Sequence, residues 1–117
     1  MLPVTVVAAH LRTCAVELAA AAEDGSPWGT AEDFAAVVGD LLAGQRAVAR
    51  ALDALADRVR AGQDAGALAE VSPVELQVTT EVLQAAATAV VCSADALEES
   101  VPSIERMVES IPENTHL

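Results

Sequence analysis

Residues 34–59, FAAVVGDLLAGQRAVARALDALADRV, decide the fold of this chain. Apolar side chains, interrupted by one amide, recur there at alternating spacings of four and three, the period of a helix that presents one face to a neighbour. The members of this seam are Phe34, Val38, Leu41, Gln45, Val48, Leu52, Leu55 and Val59. Thr30 followed by Asp33 forms an N-cap signal before the seam, and Gly62 follows it as a stop signal. The pattern predicts a long helix over about residues 31–61.

The same spacing occurs on both sides of this helix. Pro3 opens an apolar pattern that runs to Ala21 and ends near residue 23, where Gly25 and Pro27 supply a turn. Ser72-Pro73-Val74-Glu75 is a strong start signal for a third helix. Its seam is Leu76, Thr79, Leu83, Ala86, Val90, Ser93 and Leu97, continued after a break at Pro102 by Ile104, Val108 and Ile111. Helices are therefore predicted at about 3–23, 31–61, 73–99 and 102–111, with a frayed tail over 112–117.

These elements predict an all-α fold, an antiparallel bundle of three long helices plus a short C-terminal helix, in a single domain over residues 1–117. Trp28 and Phe34 are the only aromatic residues, so the apolar content is mostly Ala, Val and Leu. Such side chains bury less area per residue than aromatic rings do. The helices are therefore expected to pack closely.

The charge of the chain restricts its partners. The net charge is −12, from 18 acidic residues against six Arg and no Lys. Nucleic acids and anionic membrane surfaces need a basic face, so neither is expected as a partner, and no apolar run spans a membrane without interruption. The acidity suits a basic protein partner, or else simply keeps an apolar chain soluble.

Cys14 and Cys92 lie far apart within helical patterns, unlike the dense spacing of a secreted disulfide protein. The N-terminus lacks the basic leader of a secretory signal. A cytoplasmic location is predicted, with secretion that needs no cleaved signal as the alternative.

Residues with metal-binding chemistry occur on the first helix. His10, Cys14 and Glu17 fall near one helical face, and Cys92 joins them as a conceivable fourth ligand. No closely spaced ligand pair is present, and Cys14 lies on the apolar seam, where cysteine behaves as a small apolar residue. Nor does any catalytic motif stand out. We therefore predict no catalytic residue, metal or cofactor, and a protein that is not an enzyme; a metal- or ligand-binding bundle is the less favoured alternative.

Gln45 is an amide at an otherwise apolar seam position, where such a residue often fixes helix register or partner number. It alternatively reaches solvent or a loop carbonyl. Around it the apolar stripe of the second helix is wide enough for more than one neighbour. The predicted interaction residues are Leu42, Gln45, Ala49 and Leu52 from this helix and Ile104, Val108 and Ile111 from the C-terminal helix, although each equally suits the core of a single chain.

The third helix ends unusually, because Asp95, Glu98 and Glu99 add negative charge where the helix dipole is already negative. Either the helix continues or a basic group meets it. Glu98 and Glu99 are therefore predicted contacts for a basic protein partner.

Trp28 and Gly29 lie between the first two helices. A helix, a Trp-Gly turn and a second helix resemble the ESAT-6-like (WXG100) proteins, small helical hairpins that pair as dimers and leave the cell by type VII secretion. The resemblance covers residues 3–62. It departs from that family because Trp28 directly precedes Gly29, the first helix is short, a third long helix is added, and the chain has no Tyr for a Tyr-based export signal. A ring packed on Phe34 explains the same residues.

The leading functional prediction is a non-enzymatic, acidic, helical interaction protein that self-associates, most simply as a dimer, or pairs with another protein as an accessory or regulatory subunit. A chain rich in small apolar residues gains buried surface by pairing. An exported ESAT-6-like protein is the first alternative.

Overall fold

The computed structural model describes residues 1–27 and 29–117, and within them it confirms the all-α class. The helices are α1 (Val4–Glu23), α2 (Ala31–Asp64), α3 (Pro73–Glu99) and α4 (Val101–Ser110). Ser100 alone separates α3 from α4, so residues 73–110 are nearly one helical stretch. The prediction of a separate short C-terminal helix is therefore only partly correct. The stretch continues because Pro102 stands in a first turn, where its missing N–H removes no helical hydrogen bond.

A complete capping box starts α2. The Asp33 N–H donates to the Thr30 hydroxyl (3.2 Å), and the Thr30 N–H donates to the Asp33 carboxylate (3.0 Å). Gly29 is required beside this box, because a Cβ at that position would lie 2.9 Å from the Cβ of Asp33. The glycine before the helix is therefore explained by the cap itself.

The capping box makes the stability of α2 depend on pH. Hydrogen bonds from the Thr30 backbone and then from its side chain lower the pKa of Asp33, and nearby His116 adds to the effect. Since the folded-state pKa lies below the unfolded value, this contribution is present above the unfolded pKa and is lost as the pH falls through the folded one. We expect Asp33→Ala to lower the melting temperature at neutral pH and to matter less in acid, as followed by circular dichroism. Glu32→Ala, in the same turn, is the control; an equal loss at both pH values would contradict the linkage.

Helices α2 and α3 run in opposite directions along each other. Asp64 lies beside Pro73 near their connection, whereas Arg46 pairs with Asp95 and Glu98 towards the other end. In the connection, Gly66 has a φ of 78°, a conformation that glycine adopts without steric cost. The two helices thus form a hairpin.

The seam between α2 and α3 lies one residue away from the predicted seam at several positions. In α2, buried Ala49 and Ala56 and half-buried Leu42 take the places predicted for Val48, Leu55 and Leu41. In α3, half-buried Thr80 and buried Ala87 and Ala94 lie where Thr79, Ala86 and Ser93 were predicted, and Ala86 is half-buried as well. At Ala49 and Ala56 the buried residue is the smaller of two neighbours, and a small side chain allows the two backbones to approach closely.

Alanine dominates the buried core of this hairpin. Ala56 and Ala94 are 0% exposed, and among the described residues no large side chain is fully buried. The heptad spacing continues through the turn at Ser100, with half-buried Leu97, Val101, Ile104, Val108 and Ile111. Helix α4 thereby packs against α2 as well as following α3.

Helix α1 is not packed into a bundle in the single chain. No α-carbon of α1 comes within 8 Å of an α-carbon of another helix. All its residues are exposed except Leu18, which is half-buried. Closely packed helices have axes 8–10 Å apart and α-carbons that approach more closely than this. The predicted three-helix packing is therefore not complete within one chain.

The C-terminal tail is not frayed, contrary to the prediction for residues 112–117. The Leu117 N–H donates to the Gly29 carbonyl at 2.7 Å. His116 and Thr30 form a single antiparallel β-bridge through their backbones. The tail lies at the start of α2 because α4 returns the chain to that end of the hairpin. Residues 112–117 carry no periodic pattern that predicts this contact, which consists of backbone hydrogen bonds.

Candidate interaction surfaces

The chain exposes more surface than a compact protein of its mass. Its accessible surface is 8371 Å², whereas a globular chain of 12.0 kDa exposes about 6,000 Å². Its radius of gyration is 19.0 Å, against about 13 Å for a compact chain of this length. The excess, about 2,400 Å², comes from helical faces with no neighbour in this chain.

The first of these surfaces is an apolar groove between α1 and the hairpin. Its volume is about 500 Å³ and its lining is almost entirely apolar. Leu11, Cys14 and Leu18 of α1 face Leu41 and Val48 of α2 across it. The α2 residues that sequence analysis placed on the seam with α3 thus line this groove instead.

The second surface is the outer stripe of α3, defined as Val74, Val78, Val82, Ala85, Ala89 and Cys92. All six are exposed. Their spacings of four, four, three, four and three keep them on one side of the helix, away from the seam with α2. Among the described residues, no helix covers these side chains.

The predicted interaction residues of α2 lie inside the hairpin. Ala49 is buried, and Leu42, Gln45 and Leu52 are half-buried on the seam with α3. These residues therefore contact α3 of the same chain. In α4, Ile104, Val108 and Ile111 are also half-buried.

Gln45 has an unusual environment for an amide. Its Oε1 atom is buried and accepts no hydrogen bond. The residue also lines the apolar groove, so it stands where the seam and the groove meet. A buried acceptor without a donor is a cost to the single chain.

A basic group does meet the acidic end of α3, and it comes from the chain itself. The Arg46 guanidinium lies 3.1 Å from the Asp95 carboxylate and 2.6 Å from that of Glu98. Glu98 is thus engaged within the chain, whereas Glu99 is exposed and forms no ion pair among the described residues.

The residues considered as metal ligands do not converge among the described residues. His10, Cys14 and Glu17 are exposed on α1, and Cys92 is exposed on α3. No group of three or more His, Cys, Asp or Glu side chains there is placed to hold a metal ion. Both cysteines are free thiols.

Helix α1 is long and apolar enough to cross a membrane by length and composition, with a mean hydropathy of 1.4 over its best window. Arg12 lies near the middle of the helix, where it would cost about 3 kcal/mol in a bilayer. A helix that packs against other protein helices can have the same length and apolar composition as a membrane span, so these two properties do not distinguish the two cases.

Comparisons with known proteins do not assign this chain to a family. No protein-family model, curated protein or solved structure matches it. The resemblance to ESAT-6-like proteins thus rests on sequence alone, and Trp28, on which it depends, lies outside the described residues. Any functional conclusion must come from the surfaces described above.

Proposed function

We propose that this protein is a non-enzymatic helical interaction protein that acts as a self-associated unit, most simply a dimer. The observation that carries the proposal is the excess of about 2,400 Å² of surface over a compact chain. A standard interface removes about 800 Å² from each partner. The excess is thus large enough to supply a stable interface.

The chemistry of the exposed faces supports association with a protein. The groove and the outer stripe of α3 carry Leu, Val, Ala and Cys side chains with few charges. Large contiguous apolar surface on a soluble protein typically marks a protein or membrane contact.

The direct test is the molar mass of the native protein in solution. We expect light scattering to give about twice the chain mass of 12.0 kDa, with dissociation on dilution, because burying the uncovered faces offsets the entropy cost of association. Circular dichroism recorded over the same dilution series shows whether helix content falls with dissociation.

A monomer at every concentration would overturn self-association. A monomer that keeps its full helix content would also show that the exposed faces are stable in water. Cross-linking of the native protein in dilute solution gives an independent mass for the same comparison.

A basic protein is the second candidate partner. Residues 61–117 contain ten acidic residues and one Arg, a net charge of −9. Among these acidic residues, Arg46 forms ion pairs only with Asp95 and Glu98. The remaining acids favour approach of a basic surface, with a strong dependence on salt. Such a partner would bind the dimer on its acidic side rather than replace the second copy.

The free thiols of Cys14 and Cys92 are exposed and suit a reducing compartment. We therefore propose a cytoplasmic location. Export without a cleaved signal, as for ESAT-6-like proteins, is the alternative, and cell fractionation distinguishes the two.

A further inference from the structure

We infer that the outer stripe of α3 is the surface through which two copies associate, with the two α3 helices antiparallel. The inference rests on the proposed self-association and names its contact surface. The stripe consists of Val74, Val78, Val82, Ala85, Ala89 and Cys92, as defined above.

The valines of this stripe are among the most exposed large apolar side chains of the hairpin. Val74 and Val82 are 67% and 61% exposed, and Val78 follows the same line between them. Placing a β-branched apolar side chain in water forfeits about 1.5 kcal/mol or more of burial energy. Three such residues on one line thus form a surface whose burial is favourable.

The order of side-chain sizes along the stripe favours a second copy in antiparallel orientation. Large residues occupy the N-terminal half of the stripe and small residues the C-terminal half. An antiparallel copy, with its two-fold axis between positions 81 and 82, places Val74 level with Ala89 of the second copy. It likewise places Val78 level with Ala85 of the second copy. Large side chains then meet small ones at these two steps, and the two Val82 side chains meet across the axis, as close helix packing allows.

Two acidic residues of α3 lie near this contact, Glu75 and Glu81. Glu75 borders the stripe, but in the antiparallel register it lies level with Thr88 of the second copy. Glu81 is turned to the polar side of the hairpin, where its carboxylate accepts a hydrogen bond from Gln77 (3.1 Å) and lines a groove with Arg60. In this register Glu81 is level with Val82 of the second copy, and its carboxylate lies at the edge of the stripe beside Gln77.

The experiment compares two identical substitutions at equally exposed valines. Val82→Asp lies at the centre of the stripe, and Val16→Asp lies on α1, where the side chain is 64% exposed against 61% for Val82. Because the two-fold axis repeats the substitution, we expect Val82→Asp to weaken the dimer about a hundredfold, by burying two unpaired carboxylates. Val16→Asp should leave the dissociation constant near that of the native protein. Sedimentation equilibrium gives both constants, and circular dichroism checks that both variants are folded.

The orientation is tested with single-cysteine chains in a Cys14→Ser, Cys92→Ser background. One chain carries Val74→Cys and the other Ala89→Cys, and the two are oxidised separately and as a mixture. Antiparallel helices give a disulfide-linked dimer in the mixture and none in either chain alone. A link within each separate chain type would indicate parallel helices and overturn the register.

The outcomes separate this inference from the proposed function. If the native protein is a dimer and Val82→Asp leaves its dissociation constant unchanged, the stripe is wrong while self-association stands. If Val16→Asp splits the dimer instead, the interface lies on α1. If the native protein is monomeric, both proposals fail.

Discussion

Ala56→Leu is expected to lower the free energy of unfolding by about 1–3 kcal/mol, although it adds only apolar atoms. Ala56 is 0% exposed and lies on the seam where α2 meets α3. A larger side chain there must push the two helices apart or leave its preferred rotamer. Ala94→Leu, at the other completely buried position, is expected to act in the same direction.

Thermal and urea unfolding followed by circular dichroism measure this effect. Ala47→Leu is the matched control, because Ala47 is exposed on the same helix and the chemical change is identical. Its effect should stay within about 0.5 kcal/mol. Equal stability of Ala56→Leu and Ala47→Leu would contradict the close approach of α2 and α3.

The alanine seam also shows where sequence reasoning succeeded and where it failed. Hydrophobic periodicity and the cap at Thr30 predicted the all-α class and placed the helix ends within three residues of the observed ones. At Val48 and Leu55 the predicted register was off by one, because the larger residue of each neighbouring pair was expected in the seam and the alanine that follows it is buried instead. Close packing reverses that choice, since the smaller residue permits the nearer backbone.

The candidate surfaces were harder to predict for a related reason. Leu42, Ala49 and Leu52 were predicted as contacts with a partner on the wide apolar stripe of α2, but that part of the stripe faces α3 within the chain. Periodicity shows how wide an apolar face is. It does not show which part of it a neighbouring helix of the same chain already covers.

Arg46 illustrates the limit for charged residues. Its partners Asp95 and Glu98 lie 49 and 52 residues away in sequence. Pairing over that distance depends on the hairpin register, which a single sequence does not provide. The acidic end of α3 did signal that a basic group was needed, and the open question was whether it came from this chain or from a partner.

Gln45→Leu is expected to raise the free energy of unfolding by about 1–3 kcal/mol. The Oε1 atom of Gln45 is buried without a hydrogen-bond donor, so the folded chain carries a desolvation cost that the unfolded chain does not. Leu has a similar volume and no polar atom, and its neighbours on the seam and in the groove are apolar. A stabilising substitution at a seam position is uncommon, which makes the sign of the effect informative.

Urea unfolding at a fixed protein concentration gives the free energy, with Gln84→Leu as the control on the exposed, polar side of α3. The control should change stability by less than about 0.5 kcal/mol. A loss of stability in Gln45→Leu would mean that Oε1 of Gln45 accepts a hydrogen bond in the native protein in solution. Repeating the measurement on diluted protein then shows whether the donor belongs to the same chain or to a second copy. If the loss disappears when the protein is diluted to monomers, the donor belongs to the second copy, and the two copies meet at the groove beside Gln45 and not at the outer stripe of α3.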